Sequence, residues 1–188
     1  MALMSLNEAE KQQLLNLAAE AIRHGLRTGM RLAVNAADYN GILAAQHASF
    51  VTLERAGQLR GCMGALEAYR ALVVDVAENA FLAAFRDPRF PALSAAELDG
   101  LDIHISILSP ATDMHFSSEQ ELLQQIKPGV DGLILVDGRY RSTFLPSVWE
   151  SLPEPVQFLR HLKQKAGLPA AYWSDSLRVS RYTAEYIP

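Results

Sequence analysis

Only one cysteine, Cys62, occurs in the 188 residues. An internal disulfide is therefore excluded, as is any four-cysteine zinc site. This usage agrees with a reducing compartment, and the expected address is the cytoplasm. No apolar run approaches the roughly 20 residues that a membrane-spanning helix needs. Met1–Met4 is apolar but short and leads straight into an amphipathic pattern, so no signal peptide is expected. Basic charge is scarce: 17 Lys and Arg stand against 21 Asp and Glu, a net charge of −4. An overall basic footprint for nucleic acid is missing, and nucleic-acid binding is disfavoured. There is no Walker loop and no G-x-G-x-x-G segment, hence no familiar nucleotide site. None of His24, His47, His104, His115 and His161 has H-x-x-x-H or H-E-x-x-H spacing, so no metal and no cofactor is expected. A nucleophile-elbow serine motif is lacking too.

What is present suits a folded chain. Hydrophobic residues make up 49% and charged residues 20%. That is enough apolar surface for a sizeable core. The length suits one domain spanning 1–188, with room for two lobes.

The elements follow from periodicity. Ser5 and Glu8 have capping-box spacing ahead of the helical stripe Leu14, Leu17, Ala18, Ala21 and Ile22, with Gly29 as its stop. Residues 49–54 read as a strand, Ala56-Gly57 as a turn and 59–66 as the return strand. The register of that hairpin is open, and a one-residue slip would turn Cys62 to the other face. Gly61 and Gly64 suggest a bulge or a close backbone approach. A helix is expected over 71–86, ended by Asp87-Pro88. Ser94 and Glu97 form a second capping-box pair, followed by an alternating strand over 101–107. Ser117 or Ser118 caps a further helix. Asp137-Gly138 predicts a type I′ hairpin turn, a helix runs from Glu154 or Pro155 to Lys165, and 177–182 forms a last strand. Hairpins mixed with separate helices indicate an α+β fold with a mostly antiparallel sheet.

Chemistry concentrates in Leu59-Arg60-Gly61-Cys62-Met63-Gly64. Cys62 is either a nucleophile or a small apolar core residue. Arg60 can hold a small anionic ligand with its planar fork, or form an ion pair with Asp87 or Glu67. Asp87 and Arg89 either line the same cleft or brace the loop after the helix. His47, just before the strand that pairs with the Cys62 strand, is the most economical basic partner for a dyad. His104 shares a strand face with Asp102 and Ser106, which a half-exposed face explains. Trp149, Tyr172 and Trp173 suit either a partner-binding patch or the core.

The hexapeptide resembles the LRGCIG signature of the AMMECR domain family, with Met63 in place of isoleucine. Phe50-Val51-Thr52-Leu53 is similar to the strand leading into it, and Asp87-Pro88-Arg89-Phe90-Pro91 to the family's DPRFPP segment. Ile105-Ser106-Ile107-Leu108-Ser109-Pro110, Phe144-Leu145-Pro146-Ser147-Val148 and Lys165-Ala166-Gly167-Leu168-Pro169 follow in the family's order. Together they span roughly residues 10 to 185, far more than one motif does. The resemblance implies a single compact α+β domain with a cleft beside the LRGC segment, Thr52, Arg60, Gly61, Gly64, Asp87 and Arg89 being binding positions around Cys62. Prokaryotic members are also called AmmeMemoRadiSam system protein A, which implies a Memo-like protein and a radical SAM enzyme as partners. Family members often carry a second cysteine before the KAGL segment. Here that stretch reads Phe158-Leu159-Arg160-His161-Leu162-Lys163-Gln164, so two-cysteine chemistry lacks its second thiol.

Overall fold

A computed structural model describes residues 5–188, so the reading of Met1–Met4 lies outside the described residues. The chain divides into two compact units. One reaches to Ser109 and takes up Glu185–Pro188; the other is Pro110–Ala184. Among the described residues no helix is long and apolar enough to cross a membrane.

The first unit holds α1 (Glu8–Thr28), β1 (Ala48–Arg55), β2 (Gln58–Gly64), α2 (Leu72–Phe85) and β3 (Leu101–Leu108). Three-residue 3₁₀ turns occupy Ala36–Asp38, Gly41–Leu43 and Ala95–Glu97. The N-cap of α1 differs from the Ser5 reading. Asn7 accepts from the Glu10 N–H at 2.9 Å, while Glu10 takes the Asn7 N–H at 2.8 Å. Asn7 and Glu10 have the same spacing, and Leu6 just before the cap is buried. Ser5 donates instead to Glu185. Gly29 ends the helix at φ 71°, as expected.

The sheet order is β2-β1-β3-β8, the last strand being Ala184–Ile187, which periodicity did not foresee. The inner sides of β1 and β3 (Val51, Leu53, Ile105, Ile107) pack with Leu14, Ala18 and Ile22 of α1 and with Val73, Val76 and Ala80 of α2. Each of the larger side chains stabilises by about 1.5–3 kcal/mol when fully buried. One buried polar knot crosses this core. Asp75 accepts from the Ser49 N–H and hydroxyl, from Asn79 and from Arg70. Four donors offset the cost of burying that carboxylate.

The second unit carries β4 (Thr112–Asp113), α3 (Glu119–Gln125), β5 (Gly132–Asp137), β6 (Tyr140–Phe144), α4 (Pro155–Lys165) and β7 (Arg178–Tyr182), in sheet order β4-β7-β5-β6. Of the alternatives read from the sequence, Ser118 and not Ser117 caps α3, and α4 opens at Pro155 and not at Glu154. The β5–β6 turn differs. Asp137 is the last residue of β5 and pairs with Tyr140, so Gly138-Arg139 make the turn, and of the two only Gly138 has positive φ. Glycine alone at the first turn position fits the II′ pattern. Asp137 is thereby left to accept from Tyr172, Ser174 and Ser176, and these hydroxyls hold its carboxyl below the usual range. Trp149 stacks on Phe158 at 3.8 Å and donates to the Asp131 carbonyl, which puts it in the core. Tyr172 and Trp173 pack against the same cluster. The chain is thus α+β with antiparallel hairpins, each unit having its own core.

Candidate functional site

The β1–β2 hairpin closes on Ala56-Gly57, with φ values of 49° and 72°. Positive φ at both positions is the type I′ signature, which matches the strand twist. The turn sets the open register: Thr52 lies opposite Cys62 and Phe50 opposite Gly64. A shift between Leu53 and Glu54 leaves Arg60 as the extra residue of a bulge, since Leu53 faces Gly61 and Glu54 faces Leu59. Bulges re-aim the side chain they carry. The Arg60 guanidinium grips Glu97, with Nε at 2.7 Å and Nη2 at 3.2 Å, and Nη2 also donates to the Pro91 carbonyl at 2.9 Å. Its partner is therefore Glu97, neither Asp87 nor Glu67. Arg60, with the help of the Ser94 N–H, holds the Glu97 carboxyl down at about 2. Arg60 Nη1 is buried without a partner among the described residues.

Asp87 joins the helix stop to the cysteine. β2 is an edge strand, and Asp87 accepts the outward Cys62 N–H at 2.9 Å. It also accepts the Arg89 N–H at 3.0 Å and the Arg89 side chain at 3.0 and 2.7 Å. These four bonds fill the carboxylate's acceptor sites. Arg89, then the two backbone N–H groups, hold its carboxyl far below the ordinary range. Asp87 is buried while the Arg89 side chain is 54% exposed, so Arg89 shows its cation to solvent beside Cys62. Phe90 lies under both guanidinium groups, at 5.8 Å from Arg60 and 5.5 Å from Arg89.

The two glycines are space requirements. A Cβ on Gly61 would overlap the Ala83 carbonyl of α2, and one on Gly64 would strike the Phe50 ring and the Ser49 carbonyl. Gly61 thus lets α2 lie directly against the edge strand. Cys62 is half-buried, and its Sγ is 3.3 Å from Thr52 Oγ1. Next along the same row comes His104, opposite Thr52 on β3. Residues directly opposite share a face. His104 Nε2 is 3.5 Å from Glu54 Oε2, its ring stacks on Tyr186, and its Nδ1 is buried without a partner among the described residues.

The structure therefore brings together Thr52, Arg60, Gly61, Cys62, Gly64, Asp87 and Arg89. It does not bring His47 to them. That residue precedes β1 and is five positions from Thr52, roughly 16 Å of extended chain. Glu97 and the row of Glu54, His104 and Tyr186 were not read as part of the site. Cross-strand register joins the row, and strand periodicity carries no register. No group of three or more His, Cys, Asp and Glu residues could hold a metal among the described residues.

A family model described as AMMECR1 matches residues 15–187. A protein of Methanothermobacter thermautotrophicus is 34% identical over 96% of this chain and 94% of its own length. One of Thermotoga maritima is 38% identical over 73% of this chain and 75% of its own. The crystal structure of an uncharacterized protein from Pyrococcus horikoshii superposes with a TM-score of 0.89. It is 32% identical and is covered over 92% of its length, with 96% of this chain covered.

Proposed function

This chain belongs to the AMMECR1 family, and from that premise we propose that it is an accessory or adaptor protein. It acts with a Memo-like protein and a radical SAM enzyme through the face around Arg60-Gly61-Cys62. The observation that carries this reading is that the charges at the site are spent on one another. Arg60 is held by Glu97 and the Pro91 carbonyl, and Asp87 has all its acceptor sites filled. Among the described residues no base is hydrogen-bonded to Cys62; its side-chain neighbour is the Thr52 hydroxyl. Groups locked this way give a rigid surface, and rigidity lowers the entropic cost of docking. Arg89, paired with Asp87 through Nε and Nη2, still shows more than half of its side chain to solvent, and that exposed edge suits a carboxylate on a partner. Titration of the purified chain against each of the two partners tests the proposal. Saturable binding that weakens with Arg89→Ala supports it, and no association under several salt and substrate conditions refutes it.

The Cys62–Thr52 contact beside an exposed cation favours a second reading, a small cysteine-dependent enzyme acting on an anionic small molecule. Cys62 would be its nucleophile. Arg89 suits the anion better than Arg60 because, with both arginines paired through Nε and Nη2, its side chain is 54% exposed against 11%. Folded Cys62→Ser, assayed in the reconstituted three-protein system, separates the readings: full activity leaves the adaptor and removes the enzyme.

A further inference from the structure

One concave feature of the first unit has no part in the Cys62 site. It is an open cleft of about 250 Å³ between α1 and the entry to β3. Ile22, Leu98, Leu101 and Ile103 make its floor, and Arg23 and Asp99 stand at its rim. Ile22 is fully buried, and the other three floor residues are half-buried at the edge of the core.

Neither rim charge is held in a close pair. Among the described residues neither the Arg23 guanidinium nor the Asp99 carboxylate makes a hydrogen bond or a close ion pair. They do not pair with each other across the cleft. The charge of Arg23 bears on Glu20 at a distance, and Arg55 donates to the Asp99 backbone carbonyl at 3.4 Å, leaving the carboxylate free. The cleft therefore offers a cation, an apolar floor and an anion.

A ligand that satisfies all three must carry both charges and a short hydrocarbon group. A phosphate or dicarboxylate would meet repulsion from Asp99, and a simple amine repulsion from Arg23. The volume is below the ~300–1,000 Å³ of sites for drug-sized ligands. It suits a molecule of amino-acid size. The floor has no aromatic ring and no side-chain polar group, which favours an aliphatic substituent over a polar one. We propose that this cleft binds a free aliphatic α-amino acid of about leucine size. Arg23 takes the carboxylate with its planar fork, Asp99 takes the ammonium, and the side chain covers Ile22, Leu101 and Ile103. The inference does not depend on how the Cys62 face is used.

The test is an amide-resolved NMR titration of the full chain with L-leucine, leucinamide and N-acetyl-leucine. Leucine is expected to give saturable shifts at residues 19–23 and 98–103, with an affinity in the millimolar range or tighter. Arg23→Gln should weaken leucine at least about fivefold and should not weaken the carboxylate-free leucinamide, whose ammonium is relieved of repulsion. Asp99→Asn should weaken leucine similarly and should not weaken N-acetyl-leucine, which has no ammonium and is relieved of repulsion. Both residues are exposed, and the same spectra report whether the variants are folded. The absence of saturable shifts up to about 50 mM leucine would overturn the proposal. So would saturable shifts located elsewhere. Equal sensitivity of all three ligands to both variants would overturn it as well, because it would mean non-specific apolar binding.

Discussion

Glu97→Gln tests whether Arg60 is locked as described. The wild-type carboxyl titrates near 2 instead of its ordinary 4.5, chiefly because Arg60 is bound to it. A group whose folded pKa is depressed contributes stability above its unfolded pKa and loses it as pH falls through the folded one. The window here is therefore pH 4.5 down to about 2. The shift corresponds to an upper bound of about 3 kcal/mol. The Glu97 side chain is 23% exposed, so solvent screening brings the expected contribution to about 2 kcal/mol. Glutamine keeps the shape but never ionises. Urea unfolding of both proteins should then differ by about 2 kcal/mol at pH 7. At pH 3.5, between the two pKa values, roughly a third or more of that difference should be gone. The variant should also release Arg60, whose side chain is 11% exposed, so its cost at neutral pH includes an uncompensated buried cation. A difference that stays constant from pH 7 to pH 3 would refute the pairing, since nothing at position 97 would then be titrating against the arginine.

Three further outcomes follow from the same geometry. Gly61→Ala should destabilise by about 2 kcal/mol or more, read as a lower urea midpoint, because backbone at Ala83 must give way to the new methyl; an unchanged midpoint would mean that α2 does not lie against β2 there. Ala56→Gly should raise stability by about 0.5–1 kcal/mol in thermal unfolding, since alanine at φ 49° is strained and glycine is not; a loss would contradict the I′ turn. Lys163 is fully buried, 3.0 Å from Glu119. Lys163→Met should stay within about 1 kcal/mol of wild type while Lys163→Ala costs about 3 kcal/mol, and equal losses in calorimetry would show that the charge, not the volume, matters.

The helices and strands were legible wherever a period repeats over many residues. The α1 stripe, the α2 apolar face, the 101–107 alternation and the Pro155 start all appear close to where periodicity places them. Short-range choices between equivalent signals were not legible. Ser5/Glu8 and Asn7/Glu10 have the same spacing, and what separates them is the burial of Leu6 and the bond from Ser5 to Glu185, 180 residues away in sequence. At Asp137-Gly138 the dipeptide suggested I′, but the hydroxyls of the 172–176 loop keep Asp137 in the strand.

The candidate site divides the same way. The sequence by itself determined that one thiol, two glycines and an arginine lie together in a hairpin, and that Asp87-Pro88 ends the following helix. Motif order alone sufficed to mark the family resemblance. Only tertiary structure decided the use of each group. The bulge sends Arg60 to Glu97, Asp87 is turned back onto the Cys62 N–H, Arg89 is left as the exposed cation, and His104 joins the cysteine row in place of His47. The reason is that side-chain period within a strand depends on neighbours in sequence. Register, and the partner each charge finds, depend on residues brought close by folding of the whole unit.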